Sequence, residues 1–386
     1  MAAVAAVRAF RSFHTSVMLQ RRFGHFPAQS VSAFLPRSLC SVPIKSNESE
    51  PLGITENTSL LDNLNRMGVD VKKARQRQPA VLRKDFTNEQ GLEEFMQGKG
   101  ASREVIASII SRYPRSITRT IEHMEQRWEL WRDIFQTDAE IVNILDRSPE
   151  SFFRSSDNEN LKKNIAFLSS LGLDTKDLHQ LLTTAPRTFS NRLELNKQMV
   201  ELLEDICIEL GGTNPEQFPK TIISRNRYVL IRSTKRVKKN IDILRASLEL
   251  SDSELLDLLE GPGANILDLS NKYLKNNFKS LQQKVISHGA QKADIKKLIL
   301  NYPMVLCTGS DILSSKLDCL LSGGITIKQI FEKPKVLEYS TQNLTKRLGE
   351  LKRLGYDFQQ KGINILDSSR KRFDAKLIKL SATPAG

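Results

Sequence analysis

The chain has 386 residues, of which 39% are hydrophobic, and its 58 Lys and Arg against 44 Asp and Glu give a net charge of +14. That composition supports a sizeable core and points to a polyanionic partner, either nucleic acid or an anionic membrane surface. No apolar run approaches the ~20 residues that cross a bilayer, so a soluble or peripheral protein is expected.

Residues 1–47 contain no Asp or Glu, and carry Arg8, Arg11, Arg21, Arg22, Arg37 and Lys45 among many Ser and Ala. An arginine-rich, acid-free start with only a short, weakly apolar AAVAAV run fits a mitochondrial transit peptide, here set at 1–45, rather than a secretory signal. Its removal takes away six positive charges and leaves +8, so the remainder stays basic. Residues 46–58, SNESEPLGITENT, read as a polar linker, and residues 383–386 as a short tail.

Between them, over 59–382, one pattern recurs: two apolar residues, three variable ones, a proline, then more apolar residues. It is present as IISRYPRSI at Pro114, ILDRSPESF at Pro149, LLTTAPRTF at Pro186, LILNYPMVL at Pro303 and QIFEKPKVL at Pro334. An altered copy, LLEGPGANI, holds Pro262, and IISRNRYVL places Arg227 in the proline slot. Successive intervals are 35, 37, 41, 35, 41 and 31 residues, the range of stacked helical repeats. Proline ends one helix and suits the first position of the next, so each repeat is predicted to be two helices joined at a proline turn. Leu161, Ile165 and Leu168 are spaced for one helix face, while Gly172 and Gly289 suit helix stops. Strand signals are scarce, so the predicted fold is an all-α curved solenoid. Trp128 and Trp131 share a helix face and are assigned to the core.

The four cysteines, Cys40, Cys207, Cys307 and Cys319, form no CxxC pair, and no histidine stands at ligand spacing beside them. This argues against zinc and against a disulfide framework, and fits a reducing compartment. No GxGxxG, P-loop, HExxH or nucleophile elbow is present, so no enzyme activity, cofactor, metal or small-molecule substrate is expected.

Arginines cluster at the turns: Arg112 and Arg115, Arg147 and Arg154, Arg187 and Arg192, then Arg225, Arg227, Arg232 and Arg236. Equivalent positions of stacked repeats line one side, so these residues are predicted to form a basic track. Such a track suits a phosphate backbone, with Arg192, Arg225, Arg232 and Lys235 as candidate phosphate contacts. Arginine in place of lysine favours bidentate contacts to phosphate or guanine edges. A solubilising surface, or capping of helix C-terminal carbonyls, is the competing reading for any one of them.

The recurring turn resembles that of the mitochondrial transcription termination factor (mTERF) family. Longer stretches carry the resemblance: VIASIISRYPR, IVNILDRSPESFFRS, APRTFSN, LNKQMVE, STKRVK and ILDLSN, within roughly residues 58–382. It implies an all-helical, left-handed solenoid whose concave basic groove holds double-stranded mitochondrial DNA as a monomer, in the matrix nucleoid. It further implies termination of transcription, with the duplex bent, partly unwound and some bases flipped out.

Matched motif by motif, the residues implied to stack on everted bases are Arg147 in LDRSPE, Tyr228 ahead of STKRVK and Tyr273 just after ILDLSN. Those implied to contact bases are Arg154, Arg187, Arg236 and Arg372, with Lys335 where arginine is expected. Tyr228 stands where the family pattern offers phenylalanine, which keeps the ring. On the residues alone, Tyr228 and Tyr273 would read as half-buried core residues with their hydroxyls at the surface. An RNA-binding or ribosome-assembly solenoid is the alternative, since RNA also suits a basic helical array.

Overall fold

The computed structural model describes residues 56–155 and 157–382. The stretches read as transit peptide, as linker up to residue 55 and as tail therefore lie outside the described residues. Every regular element among the described residues is helical. The helix α1 (Thr58–Arg66) is capped by Asn57, whose side chain accepts from the Leu60 N–H, so folded structure begins within the last residues of the stretch read as linker.

Nine helix pairs follow among the described residues. The first four are α2 (Val71–Arg77) with α3 (Glu89–Gly98), α4 (Arg103–Arg112) with α5 (Ile121–Arg132), α6 (Asp138–Arg147) with α8 (Asn158–Ser170), and α9 (Thr175–Thr184) with α10 (Leu193–Glu209). The next three are α11 (Phe218–Arg225) with α12 (Thr234–Leu248), α13 (Asp252–Glu260) with α14 (Asn271–Ile286), and α15 (Lys292–Asn301) with α16 (Ser310–Ser322). Last come α17 (Ile327–Glu332) with α18 (Thr341–Arg353) and α19 (Phe358–Lys361) with α20 (Arg370–Ala382). Between the helices of most pairs the chain makes a short 3-10 turn, such as Pro114–Thr118; between α6 and α8 the turn is the single helical turn α7 (Glu150–Phe153).

Local sequence explains these boundaries. First helices of several pairs start on capping boxes: Thr137 with Glu140, Asp174 with Asp177, Ser251 with Glu254 and Thr326 with Gln329. Second helices start on Thr120, Asp157, Ser233, Ser270 and Ser340, each side chain accepting from the third helical N–H. Gly172 and Gly289 take φ of +83° and +89° at helix ends, a conformation that favours glycine.

Five of the first helices bury an apolar triplet at i, i+3 and i+4: Ile106, Ile109, Ile110; Ile141, Ile144, Leu145; Leu178, Leu181, Leu182; Leu255, Leu258, Leu259; Ile295, Leu298, Ile299. Trp128 and Trp131 are fully buried as expected, with the Trp128 ring edge-on to Phe95 and Phe152 at 5.5 and 5.9 Å. Phe95, Trp128 and Phe152 belong to three successive pairs, so this aromatic row staples neighbours together.

A buried polar ladder, which the sequence reading missed, also joins the pairs. In six of the nine pairs the seventh residue of the second helix is Arg127, Asn164, Asn240, Asn277, Lys316 or Arg347, every one buried. In α10 it is Met199, and Asn191 instead donates to the Leu230 carbonyl of the next turn at 3.1 Å. Each of the six donates to main-chain carbonyls of the next turn: Arg127 to Phe152 (2.7 Å), Asn164 to Asn191 (2.8 Å), Asn277 to Leu306 and Thr308 (both 2.9 Å). Asn240 reaches Ile266, Leu267 and Leu269, Lys316 reaches Leu337, and Arg347 reaches Leu366 and Ser368. Turn carbonyls buried between pairs need partners, and in these six pairs this position supplies donors to them. The Arg347 guanidinium is also sandwiched by Tyr339 and Phe373, 4.4 and 4.6 Å from the ring centroids.

The first two pairs are tied elsewhere: Asn88 binds both the Ile117 carbonyl and the Arg119 carbonyl. His123 lies beside the ladder. Burial, reinforced by Arg127 and Arg119, lowers its pKa to about 4. An imidazole kept neutral in the fold but protonated near pH 6.5 when unfolded makes stability fall as pH drops from about 6.5 to about 4. Replacing His123 with glutamine should flatten that part of the pH–stability curve by on the order of 1 kcal/mol, measured by urea unfolding of both proteins at each pH.

Candidate nucleic-acid interface

The turns of successive pairs pack on one another: Pro79–Arg83 on Pro114–Thr118, α7 on Pro186–Ser190, that turn on Val229–Ile231, and Pro262–Ile266 on Pro303–Cys307. Residues at one register of the repeat therefore recur along a single edge. Ten of the twelve candidate side chains fall on four registers of this edge. Arg147 and Arg225 end first helices; Arg187, Tyr228 and Lys335 follow the proline slot. Arg154 and Arg232 close turns; Arg236, Tyr273 and Arg372 are each the third residue of a second helix. Arg192 is the N-cap residue of α10, and Lys235 lies in the first turn of α12.

Arg147, Arg187 and Tyr228 meet in one open cavity of about 270 Å³, together with Ser148, Thr183 and Pro186. The three come from three successive pairs. Arg147 Nη2 donates to the Thr183 carbonyl at 3.1 Å, at the C-terminal end of α9, where the helix dipole favours a cation. Arg112 does the same one pair earlier, donating to the Arg147 carbonyl at 3.3 Å and to Asp146 at 3.2 Å. Arg187 is exposed and pairs with Glu150. Tyr228 is 41% exposed, so its ring faces solvent rather than the core. A guanidinium plane and an aromatic face on one open cavity make a surface that can stack on a planar ring.

Tyr273 is 37% exposed and does not line that cavity; its hydroxyl donates to the Cys307 carbonyl at 3.3 Å, in the next pair. Arg236 and Lys235 line a second, wider hollow of about 840 Å³ between α10 and α12, with Lys238 and Lys239 but also Glu201 and Asp205. Arg154, Arg192, Arg225, Lys335 and Arg372 are exposed at their registers. Arg232 stands apart: it is half-buried and donates to Asp268 of the next pair at 3.2 Å. That ion pair makes Arg232 a link between pairs as much as a surface cation.

Arg227, in the proline slot, donates to Gln180 of α9. The turn survives there in shortened form, with a 3-10 segment of only three residues, Val229–Ile231. The partners Glu150, Thr183, Gln180 and Asp268 were missed from sequence, because they lie 36 to 47 residues from the arginines they hold. A spacing of about one repeat points to Glu150, Thr183 and Asp268, 36 or 37 residues away, whereas Gln180, 47 residues from Arg227, lies outside it.

A family model described as mTERF matches residues 61–374. The chain belongs to the mTERF family. The helical pairs and their turns are thus the repeats of an mTERF helical-repeat solenoid, as the turn motif implied. Among its relatives is Transcription termination factor 1, mitochondrial, of Homo sapiens, 49% identical over 356 residues, which cover 92% of this chain and 88% of that protein. The Rattus norvegicus protein of the same name is 49% identical over 354 residues, 90% of this chain and 95% of that one. Transcription termination factor 2, mitochondrial, of Homo sapiens is 30% identical over 331 residues, covering 85% and 84%. The mTERF array described above spans every one of the candidate side chains.

Proposed function

We propose that this chain terminates mitochondrial transcription by clamping a specific double-stranded DNA site along the turn edge of its solenoid. The observation that carries this is the convergence of Arg147, Arg187 and Tyr228, from three successive pairs, on one open cavity within a row of exposed arginines. The relatives named above, mitochondrial termination factors by name, supply the process. In this reading the edge forms a concave basic groove that holds the DNA as a monomer in the matrix. Arg192, Arg225 and Lys235 neutralise phosphates, with Arg232 contributing charge while tied to Asp268. Arg154, Arg187, Arg236, Lys335 and Arg372 reach base edges, and Arg147, Tyr228 and Tyr273 stack on everted bases. Stacking on such groups contributes about 1–3 kcal/mol per base, which offsets the few kcal/mol of unpairing. A clamped and distorted duplex then obstructs the polymerase.

Competition titration of duplex DNA against RNA of the same sequence tests the polymer. Preference for the duplex, weakening steeply with salt, is expected; preference for RNA would transfer the edge to an RNA-binding or ribosome-assembly role. At the residue level, Arg154→Ala and Arg236→Ala should each cost about 1–3 kcal/mol and relax discrimination at particular base pairs. Equal loss on all sequences would make both residues phosphate contacts instead.

A further inference from the structure

We propose that Asn226 is the positioning residue for Tyr228, doing with its side chain what proline does at the other turns; this rests on the stacking role given to Tyr228 above. At most turns of the array, the residue in front of the proline has an unusual backbone. Gln78, Tyr113, Ser148, Ala185, Tyr302 and Lys333 have φ between −149° and −130° and ψ between 59° and 72°. Proline contributes to this, because its ring bars the preceding residue from the helical region. Asn226 has φ −124° and ψ 86°, close to the same conformation, yet Arg227 follows it and imposes no such restriction.

Something else must hold the turn there, and the contacts identify it. Asn226 is 2% exposed. Its Oδ1 accepts from the Tyr228 N–H at 3.1 Å, and its Nδ2 donates to the Ala264 carbonyl at 2.8 Å. The first bond closes a local side-chain turn around Arg227, and the second fastens it to the next turn, Pro262–Ile266. A carboxamide offers a donor and an acceptor on one rigid plane, so aspartate or leucine at this position would lose one bond or both. The same turn closes through the Val229 N–H to the Asn226 carbonyl at 3.2 Å, matching the Ser116–Tyr113 and Thr188–Ala185 bonds of other turns. Arg227 then holds Gln180 on the opposite side. The ring of Tyr228 is thus aimed from a turn tied to the pairs before and after it.

A chain with a proline in the slot would not need the asparagine, which gives a rescue test. The full chain is compared as Asn226→Ala, Asn226→Ala with Arg227→Pro, and Tyr228→Ala. Two readings are taken: amide exchange at Val229 in the free protein, and 2-aminopurine emission from a bound duplex selected from mitochondrial DNA by the unsubstituted protein. Asn226→Ala should speed Val229 exchange at least ~10-fold and at least halve the emission of the saturated complex, and adding Arg227→Pro should recover most of both. Unchanged exchange or emission in Asn226→Ala, or failure of Arg227→Pro to restore them, would overturn the positioning role. Emission unchanged in Tyr228→Ala would instead sink the stacking role itself, and with it the reason for positioning, whatever the exchange at Val229 shows.

Discussion

Changing Arg147, Tyr228 and Tyr273 together to alanine is expected to abolish most termination while leaving initial association with the site nearly intact. Association is governed by long-range attraction between the phosphates and the exposed cations, and Arg154, Arg192, Arg225, Lys235 and Arg372 all remain in the triple variant. What it loses is the term that makes the distorted complex persist. At about 1–3 kcal/mol per stacked base, loss of even two of the three platforms should shorten the lifetime of the complex by ~30-fold or more. The single variants should differ in kind. Arg147 and Tyr228 share a cavity, so their effects should be coupled, whereas Tyr273 lies apart and should add independently. Dissociation rates and transcript lengths on one template check both points, and termination undiminished in the triple variant would remove the trapping role.

Replacing Arg127 with alanine should destabilise the array by about 3–5 kcal/mol. The side chain is 1% exposed and its guanidinium donates to the Phe152 carbonyl at 2.7 Å, the Asp157 carbonyl at 3.0 Å and Asn158 Oδ1 at 2.9 Å. Burial lowers its pKa to about 10, so it remains charged at neutral pH. Truncation leaves those acceptors without their donor and opens a void against Phe152, over whose ring the guanidinium lies at 5.9 Å. In a repeat array each pair is stabilised mainly by its neighbours, so the loss should uncouple α1–α5 from the remainder. The measurement is urea unfolding followed by hydrogen exchange. Expected is an early transition confined to residues before α6; a single shifted transition with loss under 1 kcal/mol would contradict the ladder's importance.

How far the sequence disclosed this arrangement depends on how local each cause is. Proline acts on its own backbone and that of its neighbour, so the turns at Pro114, Pro149, Pro186, Pro262, Pro303 and Pro334 were legible, and with them the all-helical array. The two end pairs were not. Pro79 sits in ARQRQPAVL, without the two leading apolar residues, and the last turn has Ile363 in the proline slot, after Gly362 at the helix C-cap. The ladder was hidden for another reason. Its position is constant, but its chemistry changes from Arg127 to Asn164, Asn240, Asn277, Lys316 and Arg347, because any long or forked donor can reach a carbonyl. Burial of Trp128 and Trp131 followed from spacing alone, whereas the exposure of Tyr228 did not, since an aromatic among apolar residues reads as core until its turn is placed.

The most direct test of the central claim is transcription in vitro by the mitochondrial polymerase on a template carrying one duplex fragment that the protein selects from mitochondrial DNA. Transcripts ending at the fragment, in proportion to its occupancy and in at least one orientation, are the expected result. Full-length transcripts at saturating occupancy in both orientations would contradict the account.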